Sequence, residues 1–418
     1  MILRGRRVVT GGALTAAAIH IENGVITAVR PFEEAGAPVI DEVILPGLVD
    51  THVHINEPGR THWEGFETAT RAAAAGGVTT LIEMPLNSIP ATTTVAAYRR
   101  KLEAAEGKLS VDTGFWGGVV PGNTKDLEGL WREGVFGFKC FLAPSGVDEF
   151  EHVAEADLRE AMPVLARLGA PLLVHAELPA LLTSPAGATY ADWLASRPPK
   201  AECAAIALMV RLARETGARV HIVHLSAAES LSLVEGSPIS VETCPHYLAF
   251  APDDIPDGAT EFKCAPPIRG GLRGLVSRIG MVVSDHSPSP PEMKCGDFRS
   301  AWGGIASLEL GLPVMATLYD SPVDLARWMA EAPASLAGLE RKGRIAPGYD
   351  ADLVLFDPEA RWTVGPESLH QRHKHTPYLG RKLRGRVCAT YLRGEKIYDD
   401  GDSSGADFRR SRGRVLKR

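Results

Sequence analysis

A parallel (β/α)8 barrel of the α/β class, carrying a small composite β-domain, is the fold this sequence predicts. Three observations predict it. Apolar strand-like runs recur at 47–53, 78–83, 113–119, 135–142, 170–175, 219–225, 239–243 and 280–284. Helical stretches lie between most of them, at 64–75, 92–106, 155–167, 201–216 and 227–234. Strands alternating with helices build βαβ units, and eight units over roughly 250 residues match the usual barrel size. The third observation is that strand-rich segments flank this region on both sides, and pairing them into one sheet is the economical arrangement.

Residues 1–46 form the first part of that composite domain. Within them I-H-I-E-N-G-V-I-T-A-V reads as a hairpin, with Asn23-Gly24 as a type I′ turn between alternating strands. Arg4, Arg6 and Arg7 before a small-residue stretch imitate an export signal, but that stretch is weakly hydrophobic and runs straight into the hairpin. The barrel occupies 47–340. Its interval from Ile239 to Met281 is irregular, with one short helix at 270–279, and further helices are expected at 302–312 and 323–339. Residues 341–400 return to strands, A-D-L-V-L-F-D and V-C-A-T-Y-L-R-G-E-K-I-Y, and complete the composite domain. Residues 401–418 are basic and expected to be a solvated, mobile tail.

Composition excludes several classes of function. Of 418 residues, 45 are Lys or Arg and 51 Asp or Glu, giving a net charge of −6. That argues against a nucleic-acid partner, whose binding domain is usually strongly basic. Apolar residues make up 45%, too many for a disordered chain. The six cysteines form no C-x-x-C pair, so neither a disulfide scaffold nor a thiolate zinc site is expected, and a reduced, cytoplasmic location is. No apolar run approaches the ~18 residues of a membrane span.

In a parallel barrel the chemistry sits at the C-terminal ends of the strands. Run one ends in D-T-H-V-H, and residues two apart on a strand face the same side, so His52 and His54 can present two imidazoles to one metal. Run four carries Lys139 inside an apolar segment. Run five ends at His175, run six at His224, and run eight at Asp285. Each has a bland reading: H-x-H pairs occur by chance, a lone strand-end histidine is commonly a satisfied polar residue, and Asp285 could cap a loop. All six fall at the same end of a repeated unit, however, which points to a metal site able to hold zinc, manganese, iron or cobalt. Lys139 is the oddity, because a buried ammonium is costly unless paired or discharged. One solution is reaction with carbon dioxide to give a carbamate that bridges two metals; the alternative is a snorkelling or salt-bridged lysine.

These motifs resemble the cyclic amidohydrolases of the amidohydrolase superfamily over nearly the whole chain. The marks are L-P-G-L-V-D-T-H-V-H, G-F-K, V-H-A-E, H-L-S-A-A-E-S, S-D-H-S-P and G-R-I-A-P-G-Y-D-A-D-L-V-L-F-D. The resemblance implies two divalent metal ions, most suitably zinc, with His52 and His54 on one and His175 and His224 on the other. Lys139 would bridge them as N6-carboxylysine, which requires carbon dioxide. Asp285 would bind metal and move the proton while a metal-bound hydroxide attacks the ring. Within this family H-V-H-I-N-E-P-G, E-M-P-L-N-S-I-P, F-K-C-A-P-P-I-R and A-W-G-G-I-A-S-L resemble the allantoinase branch, which implies allantoin as the small-molecule substrate, allantoate as product, and a homotetramer. Dihydroorotases resemble the first stretch but carry Arg at the position of Asn56, which suits an anionic ring; an uncharged Asn suits a neutral one. Asn56, Asn87 and His246 are the expected substrate contacts, and Glu177 is expected to orient a ligand. His221, on the other strand face from His224, is expected in the core or facing a helix. Two stretches, 269–281 and 312–323, are shorter than the family's usual pattern. The alternatives are a dihydroorotase, a hydantoinase or dihydropyrimidinase, or a non-catalytic scaffold that keeps the barrel without its chemistry.

Overall fold

The computed structural model describes residues 1–32, 38–401 and 412–418. Turn chemistry sets the first sheet. Asn23 and Gly24 have φ of 51° and 79°, the two positive values a type I′ turn demands. They join β2 (Ala13–Glu22) to β3 (Val25–Pro31), and β1 (Ile2–Thr10) pairs antiparallel on the far side of β2. Short strands β4 (Val39–Ile40) and β5 (Val43–Pro46) then run parallel to β1.

The barrel staves follow. β6 (Leu48–Val53), β7 (Val78–Glu83) and β8 (Asp112–Phe115) make one parallel ladder. β9 (Gly117–Gly118), β10 (Phe138–Phe141), β11 (Leu172–His175), β12 (Val220–Ile222) and β13 (Ile239–Val241) make the other. β8 and β9 are one stave interrupted at Trp116, whose indole turns aside to donate to the Thr51 carbonyl at 2.8 Å. Helices at Phe66–Ala75, Val95–Ala105, Glu155–Leu168 and Pro199–Thr216 lie where the sequence puts them.

The eighth run, 280–284, forms no continuous strand. It closes the barrel through isolated bridges, Val282 with Thr243 and His286 with Val53. The reason is a side chain in the ladder's place. Asp50 accepts from the backbone N–H groups of His52 and Ser284, both at 3.0 Å. A second expectation also fails: Trp302–Ser307 is irregular, and helical structure starts at Leu308 and runs to Leu318. Two adjacent glycines, Gly303 and Gly304, make helix unfavourable there.

After the barrel, β14 (Leu353–Thr363) pairs antiparallel with β5, followed by β15 (Lys382–Leu392) and β16 (Glu395–Asp399). Strands from both ends of the chain therefore share one sheet, in the order β16-β15-β14-β5-β1-β2-β3.

The mobile-tail expectation is corrected for 412–418; residues 402–411 lie outside the described residues. Thr113 donates to the Arg414 carbonyl and accepts from Leu416 N–H, both at 2.9 Å, and Val415 bridges Thr113 in parallel. Arg418 N–H reaches the Gly134 carbonyl at 3.2 Å, and its guanidinium lies 3.7 Å from the Trp131 ring centre. The segment occupies the side of β8 turned away from β7, below the point where the third stave meets β10. Gly413 passes so close to β8 that a Cβ there would lie 2.1 Å from the Val111 oxygen. The arginines suggest solvation, but Val415 and Leu416 between them pack against the barrel.

Candidate metal and active site

The predicted residues converge at the C-terminal end of the staves, around a cavity of about 390 Å³ whose wall includes His52, His54, His175, His224 and Asp285. His52 and His54 leave β6 on the same side, as the two-residue period requires. Their Nε2 atoms lie 3.2 and 3.6 Å from one oxygen of Asp285. His175 Nδ1 and His224 Nε2 face each other at 3.0 Å. The His224 ring is 5.5 Å from that of His52, so the four imidazoles form one continuous group.

Local backbone geometry marks the same positions. Six non-glycine residues have positive φ among the described residues, and four of them are Asn56, Asn87, His224 and Asp285. Such conformations persist where the surroundings over-determine them, which is common at functional sites.

Electrostatics prepares the imidazoles to be ligands. Burial pushes His54 down to about 4, lowers His175, and carries His224 well below the ordinary histidine value. All three are therefore neutral near pH 7, the form that binds metal. Burial alone would raise Asp285, but the neighbouring His52, His54 and His224 outweigh it and hold the carboxyl well below the usual range. Lys139 is fully buried, and burial lowers it to about 8. Its Nζ lies 4.8 Å from the Phe141 ring centre and has no hydrogen-bond partner among the described residues. His224 Nδ1 is likewise without one. Orphaned nitrogen atoms, lone pairs facing each other and a carboxylate at their centre fit a divalent cation.

Behind the histidines stand two carboxylates. Glu242, on the residue after β13, takes His52 Nδ1 at 2.6 Å and His221 Nε2 at 3.0 Å. Burial would raise Glu242, but His221 and His52 bring it down to about 2. Sequence reading missed this residue, although it stands in an apolar run just as Lys139 does. His221 is accordingly inside the barrel holding Glu242 rather than against a helix. Glu177 accepts from His175 Nε2 at 2.8 Å and is gripped by Arg197 Nε at 3.1 Å, which matches the orienting role expected of it. Burial opposes its ionisation, yet Arg197 and His175 hold it at about 2.

The three expected substrate contacts divide. Asn87 lines the cavity, with its amide nitrogen 3.5 Å from His54 Nδ1. Asn56 is fully buried and is not on the cavity wall; its amide donates to the Pro288 carbonyl at 3.3 Å, so it shapes the 285–288 turn. His246 is also fully buried off that wall, with neither ring nitrogen hydrogen-bonded among the described residues. Its nitrogen lies within 4.8 Å of both Cys244 and Asp285 ligand atoms. The cavity's far wall comes from residues to which the sequence assigns no site role: Trp193, Arg197, Lys263 and the loop 299–304.

Fold and site together define a hydrolase built on a parallel barrel. The amidohydrolase family model matches residues 43–396, and the chain belongs to that family. It is similar over its full length to an allantoinase of Streptomyces avermitilis, at 47% identity and 98% of that protein. An allantoinase of Saccharomyces cerevisiae is 47% identical over 86% of this chain and 83% of its own. Among solved structures, an L-hydantoinase (dihydropyrimidinase) from Arthrobacter aurescens superposes with a TM-score of 0.92 at 29% identity, covering 100% of this chain and 99% of that one.

Proposed function

We propose that this chain hydrolyses the ring amide of allantoin to give allantoate. The observation that carries the reading is the convergence of His52, His54 and one Asp285 oxygen beneath a cavity large enough for a small ring. Full-length similarity to allantoinases supports the choice of ring. In the reaction water adds to the ring carbonyl, the carbonyl carbon–nitrogen bond breaks, and a carboxylate and an N–H remain.

His52, His54, His175, His224, Asp285 and Lys139 would hold two divalent ions, with zinc the best match to this donor set. Ions bound there would lower the pKa of water and polarise the carbonyl oxygen. The low pKa of Asp285 keeps it ionised at neutral pH, ready to take the proton from the attacking water and pass it to the departing ring nitrogen. Lys139 Nζ, with a value near 8, is partly unprotonated at neutral pH, so it can add carbon dioxide and release a proton to form a carbamate. Glu242 and Glu177 hold the rings of His52 and His175 at fixed angles. We extend the reading to a cytoplasmic homotetramer; no helix among the described residues is long and apolar enough to cross a membrane.

Assays of the metal-loaded protein on allantoin, hydantoin, dihydrouracil and dihydroorotate test the substrate. Allantoin is expected to be turned over fastest and dihydroorotate poorly. Faster turnover of dihydroorotate or plain hydantoin would overturn the allantoin reading. Asp285→Asn is expected to lose at least about 10²-fold in kcat while retaining metal; wild-type turnover would refute the proton role.

A further inference from the structure

Two lysines outside the histidine–aspartate cluster are buried without a carboxylate in salt-bridge contact among the described residues. Lys263 is 5% exposed and Lys294 7%. Burial draws them down to about 8 and about 7. Such groups are costly to bury and are weak contributors to stability. Their hydrogen-bond acceptors all belong to one six-residue loop, 299–304. Lys263 Nζ donates to the carbonyls of Arg299 at 3.1 Å and Ala301 at 2.6 Å. Lys294 Nζ donates to the carbonyls of Trp302, at 2.9 Å, and Gly304. Main-chain bonds complete the clamp: Trp302 N–H to the Met293 carbonyl at 2.7 Å, and Gly304 N–H to the Lys263 carbonyl at 2.8 Å.

All six loop residues line the same cavity as His52, His54, His175, His224 and Asp285. A trans peptide points its C=O and N–H in opposite directions. With the Trp302 carbonyl drawn onto Lys294, the Gly303 N–H is turned away from that lysine. Neither the N–H nor the C=O of Gly303 has a hydrogen-bond partner among the described residues. A Cβ added to Gly303 would meet only the Lys263 backbone oxygen, at 3.9 Å, so the space beside it is open. Unpartnered peptide groups on a cavity wall are matched by a ligand of the same chemistry, and a cyclic amide offers C=O and N–H side by side.

We propose that Lys263 and Lys294 are positioning residues for the substrate: their Nζ–H donors fix the 299–304 main chain so that the Gly303 peptide hydrogen-bonds the amide edge of the ring. The inference rests on the ring-amide reading above. What it adds is the pair of buried lysines that hold the recognising backbone in place.

The test compares Lys294→Met, Lys263→Met, Lys294→Gln and Gly303→Ala. Steady-state kinetics on allantoin are run with metal-loaded enzyme. Hydantoin binding is measured by calorimetry in an Asp285→Asn background, where turnover is suppressed. Both Lys→Met variants are expected to raise KM and the hydantoin Kd by about tenfold or more. In these variants kcat should change less than about threefold, with native metal content. Lys294→Gln, which keeps an N–H₂ donor, should recover part of the KM. Folded Lys→Met variants with native KM and native hydantoin Kd overturn the proposal. If these variants fail to fold, Gly303→Ala decides, since its methyl enters open space: a raised KM and weakened hydantoin binding are expected, and native values overturn the proposal. If the wild type prefers another ring, the allantoin reading fails separately, and the same KM comparison on that ring tests the loop.

Discussion

The barrel holds a buried lysine at each end, and the two are treated in opposite ways. At the mouth, Lys139 is fully buried with no hydrogen-bond partner among the described residues. At the base, Lys342 is nearly as buried but donates to Asp112 and Asp352, both at 2.7 Å, with Asp350 at 3.1 Å. Arg393 and the backbone of Arg414 also reach Asp112. Burial opposes the Lys342 charge, but the surrounding aspartates win and raise its pKa above the ordinary value of 10.5. Lys139 moves the other way, to about 8. The lesson is that burial alone does not assign a role. A satisfied buried charge ties elements together, whereas an unsatisfied one is kept for what it will bind.

The comparison predicts opposite phenotypes. Lys139→Ala should have the largest effect on activity, with loss of both metal and turnover, while the melting temperature of metal-free protein stays the same or rises. Short carboxylic acids should restore part of the activity by standing in for the carbamate. Full metal occupancy and full activity in this variant would remove Lys139 from the site. Lys342→Met should do the reverse. Removing the cation shared by Asp112, Asp350 and Asp352 leaves this charge cluster under-compensated and costs about 3–5 kcal/mol, read by denaturant unfolding, while kcat per folded molecule is unchanged.

The two ends also differ in pH response. A raised folded-state pKa stabilises fully below the unfolded value and is lost only as pH climbs through the folded one. The gap in melting temperature between wild type and Lys342→Met should therefore hold constant from pH 7 to pH 10, below the ordinary lysine value of 10.5, and shrink only at higher pH. A gap that closes by pH 9 would contradict the network. The smallest effect belongs to the carboxylate behind the ligands. Glu242→Gln keeps the shape beside His52 but removes the charge, and metal affinity should fall by about 10- to 100-fold, measured by competition with a chelator.

Much of this architecture was legible in the sequence because it is written in local signals. The Asn23-Gly24 turn, the alternation of apolar runs with helices, and the polar residues ending those runs are all short-range patterns. One rule, position at a strand's C-terminal end, singles out His52, His54, His175, His224 and Asp285, and these residues converge on one cavity. What escaped depends on contacts between distant segments. Asp50 replacing ladder hydrogen bonds joins residues 234 apart, and no periodicity encodes it. Glu242 was readable by the logic that flagged Lys139, a charged residue in an apolar run. Asn56 misled because its neighbours match a family motif, while its side chain turns to Pro288 instead of the cavity. Residues 302–304 fall within the expected 302–312 helix yet stay irregular, because the Gly303-Gly304 pair disfavours helix and the lysines that hold this stretch, Lys263 and Lys294, lie outside it.

The segment 412–418 has a consequence in time as well as in space. Its Arg414–Leu416 backbone pairs with Thr113 on the third stave, yet the ribosome makes it after every stave and after the whole composite sheet. While those residues are still being synthesised, the outer edge of β8 stays unpaired, with Val111 to Thr113 open to another chain. The growing protein therefore passes through a stage with a ready-made edge for strand addition, which closes only when this later-made stretch folds back across the base.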